Sequence, residues 1–198
     1  KDIKLVMHGT TVATNAVLTG NGAKVGLLTT QGYESILQVA RSFCPGGLGG
    51  WVSFVKGPLL APLELTYGIK ERTDASGEIS TPLDEDHLKE QLTQLKKRDQ
   101  VEALTISFVN SYINNANEVL AAKIAAEIFT DIPISISSEV IPEMQEYERA
   151  ETTVLNSYVR PQVSNYVNNL QSNLEKSLGS DVQLSILRSD GGLASSRS

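Results

Sequence analysis

The chain has 198 residues, of which 40% are hydrophobic and 20% charged, so it suits one large domain or two small ones with a core of ordinary size. Its net charge of -6 speaks against a nucleic-acid partner, which needs a basic face, and against an anionic membrane surface. The single cysteine, Cys44, excludes an internal disulfide and fits a reducing cytoplasm; with only two histidines beside it, no residue is assigned to a metal.

Ile3 to Met7 is an apolar run that predicts a buried strand. Thr11 then stands where an N-cap would, ahead of a helix from Val12 that Gly20 or Gly22 ends. Ala23 to Thr30 reads as the next buried strand, and Tyr33 to Val39 carries helical spacing. Strand, helix, strand, helix predicts a right-handed crossover and a parallel sheet. Ser42 to Pro62 breaks the pattern with Gly46, Gly47, Gly49 and Gly50, three prolines and Trp51, a long loop of the kind that often carries function.

Leu63 to Glu71 is strand-like, and Asp74-Ala75-Ser76-Gly77 predicts a hairpin turn. Asp84 is placed to cap a helix striped by Leu88, Leu92 and Leu95. Val101 to Val109 predicts a strand, Asn115 or Asn117 starts a helix through Ile128, and Ile132 to Ile136 is a further strand. From Val140 to Leu178 the patterning is helical, with Pro161 expected to kink or break it. Val182 to Leu187 is a last strand, followed by the glycine-rich turn Arg188-Ser189-Asp190-Gly191-Gly192 and by Leu193-Ala194-Ser195, read as a helix start or a tail. No apolar run approaches the roughly 20 residues a membrane span needs, and nothing at the N-terminus reads as a signal peptide. Opening on Lys1-Asp2 reads as a truncated start.

Four segments together resemble the hydantoinase A/5-oxoprolinase family. They are His8-Gly9-Thr10-Thr11-Val12-Ala13-Thr14-Asn15-Ala16 with the stretch to Tyr33; Glu71 to Glu78; Ser137 to Tyr158; and Arg188 to Gly192. The resemblance implies an α/β fold, an actin-like or sugar-kinase-like (ribonuclease H-like) lobe with a mixed sheet and flanking helices. Residues 1–179 would be the N-terminal region and 180–198 the start of a catalytic lobe. It implies ATP and Mg2+ in the full-length protein, with phosphorylation of a carbonyl oxygen opening hydantoin-like or 5-oxoproline-like cyclic amides. The alternatives are ATP-dependent ketone carboxylation, towards which the Cys44 to Trp51 loop leans, or a non-catalytic domain for subunit interaction. The family's Asp-x-Gly-Gly-Thr-x-Thr-Asp phosphate loop and its later glycine-rich phosphate segment are absent from the 198 residues, so the fragment is expected to bind no nucleotide and to hydrolyse nothing alone. A larger partner subunit is implied, and apolar surface left by truncation leaves homodimerisation open.

On this reading His8 is the acid, base or oxyanion donor, Thr10 and Thr11 join it, and Thr14 and Asn15 orient substrate or phosphate at a strand end and helix start. The alternatives are a plain cap at Thr10 and a satisfied strand-end histidine. Arg41 is a candidate clamp for a carboxylate or phosphate, or else a surface arginine paired with Glu34. Asp190, Gly191 and Gly192 would let backbone amides approach a phosphate, or form a plain turn. Cys44 is either a nucleophile or a bystander thiol, and the glycine loop either a substrate lid anchored by Trp51 or an ordinary connection. Glu146, Glu148, Arg149 and Glu151 are expected to hold at least one inward-facing pair, and His87 to lie exposed and idle.

Overall fold

The computed structural model describes residues 3–42, 46–47, 49–50, 56–98, 101–179, 182–187 and 192–195. Two compact units emerge, one of residues 23–158 and one of residues 1–22 with 159–198.

The larger unit is built on a four-stranded sheet in the order β3-β2-β6-β7, all parallel, where β2 is Val25–Thr30, β3 Thr66–Ile69, β6 Ala103–Ser107 and β7 Ile134–Ile136. The central strands β2 and β6 are buried at every position. That is what near-continuous apolar runs give when helices cover both faces. Two helices supply much of the cover, α3 (Glu85–Lys97) and α4 (Ala116–Ile128). Leu88, Leu92 and Leu95 of α3 recur at helical spacing and are wholly buried with Leu104, Ile106 and Phe108. Each contributes about 1.5–3 kcal/mol by leaving water. The Asp84 side chain caps α3 by accepting from the His87 N–H at 2.9 Å. Gly26 on β2 admits this packing, since a Cβ there would stand 2.9 Å from Leu95 Cδ2. The short helix α2 (Ile36–Val39) follows β2. The strands β4 (Arg72–Thr73) and β5 (Ile79–Thr81) form the expected hairpin, its turn held by the Asp74 carboxylate.

The smaller unit holds the mixed sheet β1-β8-β9, with β1 Leu5–His8, β8 Gln183–Leu187 and β9 Leu193–Ser195. Helix α1 is Val12–Thr19, and Gly20 stops it in the left-handed conformation. Three expectations are corrected here. β1 pairs with β8, not with β2, so the first forty residues make no crossover within one sheet. Nor is β1 buried: Leu5 and Met7 are 49% and 64% exposed while Val6 and His8 are half-buried, the alternation of a sheet covered on one face. And Leu193–Ser195 is a strand antiparallel to β8, whose edge offers free hydrogen-bonding groups.

After the short helix α5 (Ser137–Val140), α6 runs unbroken from Glu146 to Leu178 with Pro161 inside it. The expected break does not occur. Removing one ladder bond is tolerated in a helix of 33 residues that has Ala150, Val154, Tyr158 and Val167 buried along it. The Tyr158 carbonyl, three residues before the proline, accepts from the Ala23 N–H at 2.9 Å. Among the described residues no helix is long and apolar enough to cross a membrane.

Candidate functional site

In the sheet β3-β2-β6-β7 the first strand, β2, lies inside, and the chain leaves β2 and β6 in opposite directions. Open parallel sheets bind ligands in the crevice beyond the carboxyl ends at such a switch point. Here that edge gathers several of the unit's buried polar side chains.

Thr30 ends β2 with its hydroxyl buried. It donates to the Glu71 carboxylate and accepts from the Val109 N–H at 2.9 Å. The second Glu71 oxygen accepts from Asn117 Nδ2 at 2.9 Å. Burial pushes the Glu71 carboxyl above its ordinary range, against the opposing pull of these two donors.

Beside it, Arg149 reaches inward from the start of α6 and is 1% exposed. Its Nη2 donates to the Phe108 carbonyl at 2.8 Å and to the Glu146 carboxylate, and its Nη1 to Ser111 Oγ at 3.1 Å. Ser137 donates its one hydroxyl proton to Glu118 Oε1 at 2.6 Å, so Ser111, 3.1 Å from Ser137, is the donor in that contact. Two serines thus join a buried guanidinium to a buried carboxylate. Glu118, fully buried, also accepts from the Phe108 and Ser138 N–H groups at 2.8 and 2.9 Å. The Tyr112 ring stacks 5.4 Å from the guanidinium. Burial lowers the Arg149 pKa from its usual value, and Arg149 Nε and Ser138 Oγ are buried without a hydrogen-bond partner among the described residues.

A cleft of about 350 Å³ opens beside this network, lined by Gly32, Tyr33, Ile36 and Val39 on one side and by Glu146 and Tyr147 on the other. Arg41 pairs with Glu148, and Lys56 Nζ donates to the Leu37 and Gln38 carbonyls at 2.6 and 2.9 Å while lying 6.0 Å from the Tyr147 ring. Both contacts tie the α2 side of the cleft to α6. Arg41's partner is therefore Glu148 and not Glu34; its side chain is 68% exposed.

The other predicted residues lie in the smaller unit. His8 Nε2 meets the Tyr166 hydroxyl at 2.7 Å, with ring centroids 5.8 Å apart. Thr10 Oγ1 accepts from the Val12 N–H at 3.3 Å, a local turn at the helix start, and Asn15 Nδ2 donates to Thr11 Oγ1 at 3.4 Å. Thr11 occupies the N-cap position of α1 but makes no side-chain cap bond, and Thr14 is exposed. Asp190, Gly191, Cys44 and Trp51 lie outside the described residues. His87 is not idle: its ring accepts weakly from the Lys70 N–H, at 3.4 Å, and meets Gln91 at 3.3 Å.

Sequence reasoning expected an inward-facing pair within the Glu146, Glu148, Arg149 and Glu151 cluster, which Glu146 and Arg149 form, but missed Thr30, Glu71, Glu118 and Tyr166. For Glu118 a signal existed. It occupies the same helical stripe as Ala121 and Ala125, which is the buried face of α4. Among the described residues no three His, Cys, Asp or Glu side chains gather as metal ligands.

Residues 1–129 match the family model described as the hydantoinase/oxoprolinase N-terminal region, and residues 149–198 match the hydantoinase/oxoprolinase model. The alpha subunit of caprolactamase from Pseudomonas jessenii is 33% identical over 98% of this chain, which corresponds to 27% of that protein. The gamma subunit of acetophenone carboxylase from Aromatoleum aromaticum is 30% identical over 82% of this chain and 24% of that protein. The crystal structure of the ATP-dependent caprolactamase from Pseudomonas jessenii superposes with a TM-score of 0.87 at 32% identity, over 96% of this chain and 27% of that one. The chain thus spans about a quarter of the length of these relatives, and the shared α/β architecture is consistent with the actin-like lobe that the motifs imply. With the first of the two family models alone matching well over half of its residues, the chain belongs to the hydantoinase/oxoprolinase family.

Proposed function

We propose that the chain is part of a subunit of an ATP-dependent enzyme that opens cyclic amides of the hydantoin or 5-oxoproline type, working with a larger partner subunit. The observation that carries this reading is the likeness to the ATP-dependent caprolactamase along nearly the whole chain, at a TM-score of 0.87. A lactam ring resists hydrolysis because its carbonyl is a poor electrophile. When bound with Mg2+, ATP would supply the phosphoryl group that activates the carbonyl oxygen.

The residues at the start of α1 fit a phosphate. Thr11 caps none of the first-turn amides of α1, of which the Val12 N–H is held weakly by Thr10 Oγ1 at 3.3 Å, and the Thr10, Thr11 and Thr14 hydroxyls and the Asn15 amide lie at that end. Asp190, Gly191 and Gly192 join them in this proposal. His8 is the proposed acid, base or oxyanion donor, oriented by the Tyr166 hydroxyl at 2.7 Å. Arg41 would act on substrate only by exchanging its Glu148 partner for a substrate carboxylate.

A second reading, ATP-dependent ketone carboxylation, is favoured by the likeness to the acetophenone carboxylase gamma subunit. The full-length subunit with its partner separates the two. Caprolactam, 5-oxoproline or hydantoin should stimulate phosphate release from ATP, whereas acetophenone with bicarbonate should not. Stimulation by the ketone alone would replace the first reading with the second.

A further inference from the structure

We infer that the cleft between α2 and the first turn of α6 is a binding site for a neutral ring carrying one N–H donor and one carbonyl, and that a lactam is its ligand. The inference rests on the cyclic-amide reading above and says which residues would hold the ring. The cleft's volume of about 350 Å³ lies within the range of small-molecule sites. It also opens at the carboxyl end of β2, beside the topological switch.

Its walls select the ligand's chemistry. Ile36 and Val39, with Ala40, offer an apolar surface to ring methylenes, and the Tyr33 and Tyr147 rings add flat faces. Both rings are held before any ligand arrives: the Arg72 guanidinium lies 5.4 Å from the Tyr33 ring and Lys56 Nζ lies 6.0 Å from that of Tyr147. Walls fixed in advance lose little freedom on binding.

Among the described lining residues the polar side chains are Glu146, Ser35 and the two tyrosines. Glu146 keeps 26% of its side chain exposed although it accepts from the Asn110 N–H at 3.2 Å and from Arg149. A carboxylate can accept further bonds and donates none, so its partner in the cleft must bring an N–H or O–H. Arg149 offsets its charge, which removes the reason for a cationic ligand. Burial, and then the Glu151 and Glu148 carboxylates, push the Tyr147 phenol up, so it stays protonated and able to donate to a carbonyl. Glu146 as acceptor and Tyr147 as donor match the N–H and C=O of a lactam, and the Ser35 hydroxyl can serve either group. A ketone would satisfy only the donor and leave Glu146 facing an apolar ring.

The test uses the full-length subunit with its partner, labelled with 3-fluorotyrosine and followed by 19F NMR as 2-piperidone is added. The Tyr33 and Tyr147 resonances, assigned with Tyr33→Phe and Tyr147→Phe, should both shift. N-methyl-2-piperidone and cyclohexanone, which lack the N–H, should bind about tenfold more weakly. Val39→Trp places a large ring in the cleft from a position that is 55% exposed, so folding is spared, and it should abolish the shifts. Tyr147→Phe should weaken 2-piperidone about fivefold through loss of one hydrogen bond. If lactams stimulate ATP hydrolysis while neither tyrosine shifts, or while Val39→Trp binds 2-piperidone as wild type does, this site is wrong and the cyclic-amide reading stands. If lactams neither stimulate hydrolysis nor shift a tyrosine, both fall.

Discussion

Thr30→Val tests whether the carboxyl edge of the large sheet is held by its hydroxyl. Valine keeps the shape, so no cavity opens and the change is confined to hydrogen bonding. Two buried groups lose their partner at once, the Val109 N–H at 2.9 Å and one oxygen of Glu71. An unsatisfied buried amide costs about 1–3 kcal/mol and a lost bond to a charged group about 1.5–3 kcal/mol, so the expected loss near pH 8 is about 3–5 kcal/mol. The cost should depend on pH. Burial already raises the Glu71 pKa above its ordinary 4.5. The folded state therefore holds this proton more tightly than the unfolded chain does, and the group's contribution to stability is fully present below the ordinary value and lost as pH rises through the folded one. Removing the Thr30 donor raises the folded pKa further and steepens that fall. Urea unfolding followed by circular dichroism, at pH 5 and pH 8, measures both effects. A loss under about 1 kcal/mol at pH 8, or an equal loss at the two pH values, would refute the reasoning.

Gly26→Ala should cost about 1–3 kcal/mol in the same assay, because the new Cβ meets Leu95 Cδ2 at 2.9 Å and Val101 Cγ1 at 3.2 Å. Asp84→Ala removes the cap on the His87 N–H and should cost about 1 kcal/mol, with most of it recovered by Asp84→Asn. Arg41→Ala breaks an exposed pair with Glu148 and should leave stability nearly unchanged, with any effect shrinking in high salt. A larger loss would mean that Arg41 holds the cleft together.

Sequence patterning told most about elements whose periodicity and end signals agreed. The leucine stripe of α3 with Asp84 ahead of it, the hairpin around Asp74, and the strands β2 and β6 were all legible in this way. It told less about partners. An apolar run such as Ile3 to Met7 records burial propensity but not which strand will lie beside it, and β1 finds β8 across more than 170 residues. Local rules also yielded to tertiary context. Pro161 removes one bond from a helix anchored on both sides of it, and Leu193–Ser195 takes strand form because β8 offers an edge. Of the network at the sheet edge, the sequence singled out only the charged cluster that holds Glu146 and Arg149, which stand at i and i+3 on one helix. Thr30, Glu71 and Glu118 come from separate elements, and only the strand order β3-β2-β6-β7 brings them to one edge.

The ions at that edge are not explained by stability. Removing one partner of a buried pair costs about 3–5 kcal/mol, yet replacing a whole buried network with apolar groups is often neutral or favourable. What apolar groups could not do is grip backbone. Phe108 is held from both sides, its N–H by Glu118 at 2.8 Å and its carbonyl by Arg149 at 2.8 Å. Two residues on, Asn110 is held in the left-handed region at φ 58°, its N–H on Glu146 and its amide on the Thr73 carbonyl at 3.0 Å. Glu118 also fixes the Ser138 N–H at 2.9 Å, at the exit of β7. The network therefore sets where the chain leaves β6 and β7. Through Glu146, which belongs both to the network and to the wall of the cleft, it also sets the position of a carboxylate lining that cleft.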